Sequence, residues 1–210
     1  MKIFLIRPGE SFDDIYREFG SWSTRGLTPT GIKTAFDIAN KLKIMDGKYG
    51  IILSSPVPRA LQTAEIIASE LGVKMEEEPY AKERNTYGLL AGVNEDSAAE
   101  EYPEMNAAYL AGRYIPGSER YQDCVERVRR LVERMEVSEN KSVICVTHGH
   151  IMTIIIEEML GMVRNSIKKG AILETEINNG KMELVHADGV SFSTDENVIK
   201  DVEKRKFKKD

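Results

Sequence analysis

Three short apolar runs, Lys2–Ile6, Gly50–Ser54 and Ser142–Thr147, punctuate the chain, and helical patterns lie between and after them. A run that is apolar at nearly every position, rather than at alternate ones, needs cover on both faces. Strands of that kind separated by helical segments are produced by βαβ crossovers. The chain is therefore predicted to build a largely parallel sheet with helices on either side. Farther on, Ala171–Ile177 and Lys181–His186 flank Asn178-Asn179-Gly180. An Asn-Gly pair between two such runs signals a tight hairpin, so an antiparallel edge is expected. The predicted class is α/β: a three-layer αβα sandwich whose mostly parallel, doubly wound sheet carries an antiparallel edge strand and a helical lid insertion.

The helices carry their own punctuation. Thr28-Pro29 supplies a cap and a proline at the first helical position, after which Ile32, Ala35, Phe36, Ala39 and Leu42 are expected to line one face. From Arg59, the residues Leu61, Ala64, Ile67, Ala68 and Leu71 recur at helical spacing, and Gly72 ends the pattern. Tyr121, Val125, Val128, Leu131 or Val132, and Met135 form the clearest amphipathic stripe. A fourth helix is expected from about His150 to before Gly161. Between residues 79 and 117 the periodicity fails, and prolines and glycines accumulate. That stretch reads as an irregular insertion with short helices, placed as a lid over a site.

Length and charge narrow the function. A chain of 210 residues fits one domain, here residues 1–195, with 196–210 a charged tail expected as a surface helix or frayed end. Lys plus Arg is 29 against Asp plus Glu 34, a net charge of −5, which argues against nucleic acid as a partner. Basic residues in the tail, such as Lys204, Arg205 and Lys206, are interspersed with acids and suggest only a weak interaction surface. Cys124 and Cys145 are far apart and show neither zinc-site nor disulfide-scaffold spacing. No apolar run is long enough to span a membrane, so a cytoplasmic protein without a membrane partner is expected. Histidine is scarce: His148, His150 and His186 are the only three.

In open α/β sheets, ligands bind beyond the carboxyl ends of the strands. The first strand ends in Arg7-Pro8-Gly9-Glu10, the second runs through Ser54-Ser55-Pro56 to Arg59 at a helix start, and the third ends in Thr147-His148-Gly149-His150. Any one of these residues alone reads as an ion-pair or structural group. Two arginines and a histidine at strand ends, each beside Gly or Pro, read together as an anion pocket. The arginine fork favours phosphate.

These residues resemble the histidine phosphatase superfamily, which includes the cofactor-dependent phosphoglycerate mutases, along nearly the whole chain. Ile6-Arg7-Pro8-Gly9-Glu10-Ser11 resembles the opening Arg-His-Gly-Glu signature, and Leu27-Thr28-Pro29-Thr30-Gly31 the Leu-Thr-x-x-Gly helix entry. Ser54-Ser55-Pro56-Val57-Pro58-Arg59-Ala60-Leu61-Gln62-Thr63-Ala64 resembles the second-strand motif. Glu83-Arg84 with Tyr87-Gly88 and Gly92 resembles the segment bearing the acidic catalytic residue, and Val146-Thr147-His148-Gly149 the second histidine motif. The resemblance implies that Arg7, Arg59 and His148 hold a phosphoryl group and that Glu83 serves the leaving oxygen as acid or base. It also implies a nucleophilic histidine, forming phosphohistidine, at the position occupied by Pro8.

Proline has no nucleophile and no backbone N–H, while the extended geometry it imposes on Arg7 suits a strand end. The phosphohistidine route is therefore closed as written. His150, Glu10 or water are the conceivable substitutes, although His150 is expected to point away along its helix. Two further departures stand out. Glu83 lies one residue farther from Gly88 than the usual spacing, with Glu76, Glu77 and Glu78 nearby reading as a solvated loop. Asp14 occupies the place of an asparagine near the phosphate, where it would repel a dianion unless turned outward. The short acidic stretch Val93–Pro103 favours a phosphatase-like ancestor over a mutase. Tyr87, Tyr102, Tyr109, Tyr114 and Tyr121 either line the lid for an organic leaving group or simply pack it. The expected ligand is a small phosphorylated molecule, with no cofactor and no metal implied. The sequence leaves open either a phosphomonoesterase with weakened turnover or a non-catalytic pseudoenzyme binding a phosphorylated metabolite or protein, and it leaves the oligomeric state open.

Overall fold

The computed structural model describes residues 1–45, 48–137 and 141–195; the charged tail from 196, expected as a surface helix or frayed end, lies outside them. Strands β1 (Lys2–Ile6), β2 (Ile51–Ser54), β3 (Met75–Glu77), β4 (Ser142–Val146), β5 (Arg164–Asn178) and β6 (Lys181–Phe192) form one sheet in the order β3-β2-β4-β1-β5-β6. The ladders joining β3, β2, β4 and β1 are parallel, whereas β5 runs antiparallel to both β1 and β6.

Helices α2 (Pro29–Met45) and α3 (Pro58–Leu71) cover one face, and α6 (Tyr121–Glu136) and α7 (Gly149–Ile154) cover the other. The period of two along β1 explains the layers. Phe4 and Ile6 enter the core with Ile38, Leu42, Ala64 and Ile67, while Ile3 and Leu5 enter the opposite core with Val128, Leu131 and Met135. The αβα sandwich is as expected. Three of its strands begin or end within a residue of the sequence-based bounds.

Other boundaries differ for physical reasons. Helix α2 buries Gly31, Ala35, Ile38, Ala39 and Leu42, whereas Ile32 and Phe36, expected in the stripe, are 41% and 43% exposed. Gly31 packs against the Glu10 carbonyl while Ala35, Ile38, Ala39 and Leu42 are buried, so the buried stripe runs beside the two larger residues. Glu76 and Glu77 belong to β3, an edge strand, rather than to a solvated loop. Glu78 is only 1% exposed: its backbone N–H donates to the Ser54 carbonyl at 2.7 Å, and Arg134 donates to its carboxylate at 2.6 Å.

The hairpin turns at Asn179 and Gly180, both at positive φ (52° and 75°), as a two-residue turn between antiparallel strands requires. Its strands extend well beyond the predicted Ala171–Ile177 and Lys181–His186 by way of register shifts, including one between Ile167 and Ile172. After α7 a π-type turn, Ile155–Met159, carries the chain to Gly161.

The insertion has the expected short helices, α4 (Ala98–Glu101) and α5 (Pro103–Leu110), and packs on the loop that follows α1 (Phe12–Ile15). Phe19, Leu90, Ala98 and Ile115 make a small core of their own. Phe19 also exchanges backbone hydrogen bonds with Val93 and Gly92, at 2.9 and 2.7 Å. These contacts tie the insertion to the 12–23 loop.

Candidate active site

The ends of β1, β2 and β4 open into a cavity of about 260 Å³. Arg7, Pro8, Arg59, Glu83 and His148 all line it. Arg7 and Pro8 leave β1 in a turn whose carbonyls both accept from the Gly170 N–H, at 3.1 and 3.2 Å. Gly9 then passes so close to α2 that a Cβ there would meet the Gly31 backbone at 2.8 Å. Arg59 sits in the first turn of α3, which begins at Pro58 and ends at Gly72 in the left-handed region (φ 65°). His148 precedes α7 in extended backbone.

Arg59 is 9% exposed, with Nη2 donating to the Ser21 carbonyl at 2.9 Å. Its Nη1 lies 3.8 Å from Asp13 Oδ2 and has no hydrogen-bond partner among the described residues, nor has Asp13 Oδ1. A buried guanidinium N–H without a partner is costly unless something else accepts from it. An anion in the cavity would meet that need. Arg7 is anchored by a hydrogen bond to the Ile167 carbonyl. Burial lowers its pKa, and the charges of Glu83 and Asp14 oppose that shift.

His148 is 2% exposed, and its Nε2 lies 2.8 Å from Ser55 Oγ. Burial, reinforced by the positive charge of Arg59, pushes its pKa down to about 3, so the ring is neutral near pH 7. Burial acts against ionisation of Glu83 as well. There it is outweighed by the neighbouring imidazoles of His150 and His148 and by the charge of Arg59, which take the carboxyl down to about 2. Glu83 accepts from the Arg84 N–H at 2.9 Å.

His150 was expected to point away, but it lines the cavity with Nδ1 3.6 Å from Glu83 Oε1. One residue into a helix is too early in the first turn for spacing to settle which way a side chain faces. Asp14 also lines the cavity rather than turning outward. Its charge is met by Lys169 at 2.5 Å and by the Ser11 N–H at 2.9 Å. Glu10 is engaged elsewhere, accepting from Thr28 Oγ1 at 2.7 Å. Of the tyrosines among the described residues only Tyr87 lines the cavity, tilted against Phe19 and edge-on to Tyr109, while Tyr121 donates to Glu158 at 3.1 Å.

Several supporting residues escaped the sequence reading. Arg127 on α6 donates to the carbonyls of Tyr80 and Lys82 at 2.6 and 2.8 Å and so holds the segment that carries Glu83. Trp22 Nε1 donates to the Glu83 carbonyl at 2.8 Å, with the Lys82 ammonium 3.9 Å above its ring. Arg127 flanks the apolar stripe of α6 between Cys124 and Leu131 with its side chain mostly buried, and residue spacing alone does not separate it from the solvent-facing arginines of the same helix. Cys124 and Cys145 are both buried free thiols. No helix among the described residues is long and apolar enough to cross a membrane.

Known proteins share this architecture. A 2,3-bisphosphoglycerate-dependent phosphoglycerate mutase of Bradyrhizobium diazoefficiens is 27% identical over 188 residues, covering 85% of this chain and 87% of the relative. The alpha-ribazole phosphatase of Shigella flexneri superposes with a TM-score of 0.77 at 21% identity, over 93% of this chain and 100% of that one. A mycobacterial glucosyl-3-phosphoglycerate phosphatase solved with VO3 gives 0.72 at 20% identity, over 88% and 96%. The family description "Histidine phosphatase superfamily (branch 1)" matches residues 3–189. On that match, the chain belongs to the histidine phosphatase superfamily.

Proposed function

We propose that the cavity binds a phosphomonoester and that the chain is a phosphatase-like binder whose covalent route is closed at Pro8. The observation that carries this reading is the unpartnered, buried Arg59 Nη1 in a cavity that Arg7 and His148 also line. In this reading the two guanidinium groups carry the charge of a phosphate dianion, and neutral His148 offers it a hydrogen bond. The dianion in turn favours the protonated form of nearby Glu83, the state a leaving-group acid needs. At the position facing these groups, Pro8 has no atom that can attack phosphorus.

Names of similar proteins include both mutases and phosphatases. Lys169 is paired with Asp14, and Glu95 stands at the cavity with no ion pair among the described residues. A second phosphate would find little positive charge there, which supports a monophosphate ligand. The non-catalytic form of the reading rests on Pro8. Weakened hydrolysis by water rests on the presence of Glu83 beside the proposed phosphate anchors.

The test compares the native chain with Pro8→His in hydrolysis of p-nitrophenyl phosphate, with orthovanadate binding measured for both. The native chain is expected to bind vanadate and hydrolyse negligibly. Pro8→His should gain about three orders of magnitude or more, the scale on which nucleophiles matter. Substantial native turnover abolished by His148→Ala would overturn the non-catalytic form, and absence of vanadate binding in both would overturn the pocket itself.

A further inference from the structure

The cavity holds more negative charge than a phosphate site needs. Five carboxylates line it, those of Asp13, Asp14, Glu18, Glu83 and Glu95, against the cations of Arg7, Arg59 and Lys169. Two of the acids are already neutralised: Asp14 by Lys169 at 2.5 Å, and Glu18 by Arg25 at 2.5 Å. If Arg7 and Arg59 are committed to a phosphate dianion, Asp13, Glu83 and Glu95 remain. Glu83 has His150 at 3.6 Å. Glu95 then lacks a counter-charge, and Asp13 has only Arg59, at 3.8 Å and shared with the phosphate.

Asp13 points to what should be there. It is 5% exposed, lines the cavity, and its Oδ1 is buried with no hydrogen-bond partner among the described residues. Its Oδ2 sits 3.8 Å from Arg59 Nη1, beyond hydrogen-bond distance. A buried carboxylate oxygen left bare is expensive, and a cationic N–H donor would satisfy it best. Glu95 is exposed at the same cavity, and its backbone N–H donates to the Arg17 carbonyl at 2.8 Å, which fixes the residue on the lid side. The cavity, at about 260 Å³, suits a small ligand.

We propose that the organic part of the phosphomonoester carries a primary ammonium group, read by the unpartnered Oδ1 of Asp13 and by the carboxylate of Glu95 in the phosphate cavity. The proposal rests on the phosphate reading above and adds the substrate class: an aminoalkyl phosphate. An ester whose organic part is anionic is disfavoured at this site by the same charges.

Binding of 2-aminoethyl phosphate, ethyl phosphate, 3-phosphoglycerate and inorganic phosphate to the native chain, measured by calorimetry, tests this. The aminoethyl ester should bind about tenfold tighter than the ethyl ester, since one exposed and one buried carboxylate together supply roughly that much. 3-phosphoglycerate should bind more weakly than ethyl phosphate. Glu95→Gln should reduce the preference for the amine and leave ethyl phosphate binding as tight or tighter; Asp13→Asn, which also neighbours Arg59, should reduce the ratio of amino-ester to ethyl-ester affinity. Because Asp13 is buried, its variant is checked for an unchanged melting profile, and the exposed Glu95→Gln carries the test if Asp13→Asn unfolds. Equal affinity for the amino and plain esters, or tighter 3-phosphoglycerate, overturns the proposal while the phosphate reading stands. Failure of inorganic phosphate and every ester to bind overturns both.

Discussion

His148 Nε2 and Ser55 Oγ lie 2.8 Å apart, and the same hydroxyl accepts from the Val57 N–H at 3.2 Å. With one lone pair taken by Val57, the Ser55 hydroxyl can still either donate its O–H to Nε2 or accept from it, and in both cases it fixes the ring. Val57 is also the residue that caps α3, the helix bearing Arg59. One hydroxyl thus orients the ring of His148 and ties it to the helix that positions the guanidinium.

Ser55→Ala is expected to lose both bonds in a fully buried place, at about 1–3 kcal/mol of stability. The released ring should also lower vanadate affinity by about tenfold. Thermal unfolding and vanadate titration on the same preparation check this. Unchanged vanadate affinity with reduced stability would show that Ser55 supports only the fold.

The ionisation of His148 makes stability depend on acid. Burial and Arg59 hold its pKa down to about 3, whereas an unfolded chain takes the proton near the ordinary value of 6.5. Between those values the unfolded state binds the extra proton, so stability falls as pH falls. Glu83, depressed from 4.5 to about 2, acts the same way in a lower window. Denaturant midpoints measured from pH 7.5 to 5 should therefore decline, with His148 contributing at most about 1.4 kcal/mol per pH unit. His148→Gln should flatten the decline between about pH 6 and 5, above the window in which Glu83 contributes. An unchanged slope would mean that the native imidazole already protonates in that range.

What could be read from the sequence tracks how locally each feature is determined. Strands β1, β2 and β4 were legible because burial on both faces leaves them uniformly apolar. Strand β3 was not, since Met75-Glu76-Glu77 is an exposed edge held by a single neighbour, β2. The first half of β5 was missed because Arg164–Lys169 is mostly polar and pairs only through a shifted register with β6. Arg7, Arg59 and His148 could be placed because strand ends converge in this architecture whatever the loops do. The facing of His150 and the bare oxygen of Asp13 depend on how a first helical turn and the 12–23 loop settle, and spacing carries no signal for that.

Arg127 tests whether the lid segment is held from behind. It donates to the Tyr80 and Lys82 carbonyls and pairs with Glu119 at 2.7 Å, in partly buried surroundings. Arg127→Met keeps the aliphatic stem but strands two carbonyls and one carboxylate. A loss of about 2–4 kcal/mol is expected. In a Pro8→His background, the same substitution should lower kcat more than KM, because Glu83 rides on this segment and would serve the leaving oxygen. Equal effects on both would place Arg127 outside the positioning of Glu83.

The contact of the Pro8 turn with α2 gives the sharpest steric prediction. A Cβ on Gly31 would stand 2.0 Å from the Glu10 carbonyl oxygen, a backbone atom that also accepts from the Thr28 N–H at 3.1 Å. Helix propensity alone favours Ala over Gly by about 1 kcal/mol. Overpacking against backbone costs about 1–3 kcal/mol, and here the clash is severe, so the clash should win. Gly31→Ala is expected to be destabilised by about 2 kcal/mol and to bind vanadate more weakly, because relief requires the Arg7–Glu10 turn to move. Gly72→Ala is the control: it meets no atom within 4 Å and loses only the left-handed cap of α3, far from the cavity. It should lose stability by about 1 kcal/mol with vanadate affinity intact. Matched losses of vanadate affinity in the two variants would mean that the turn is not what holds the pocket in shape.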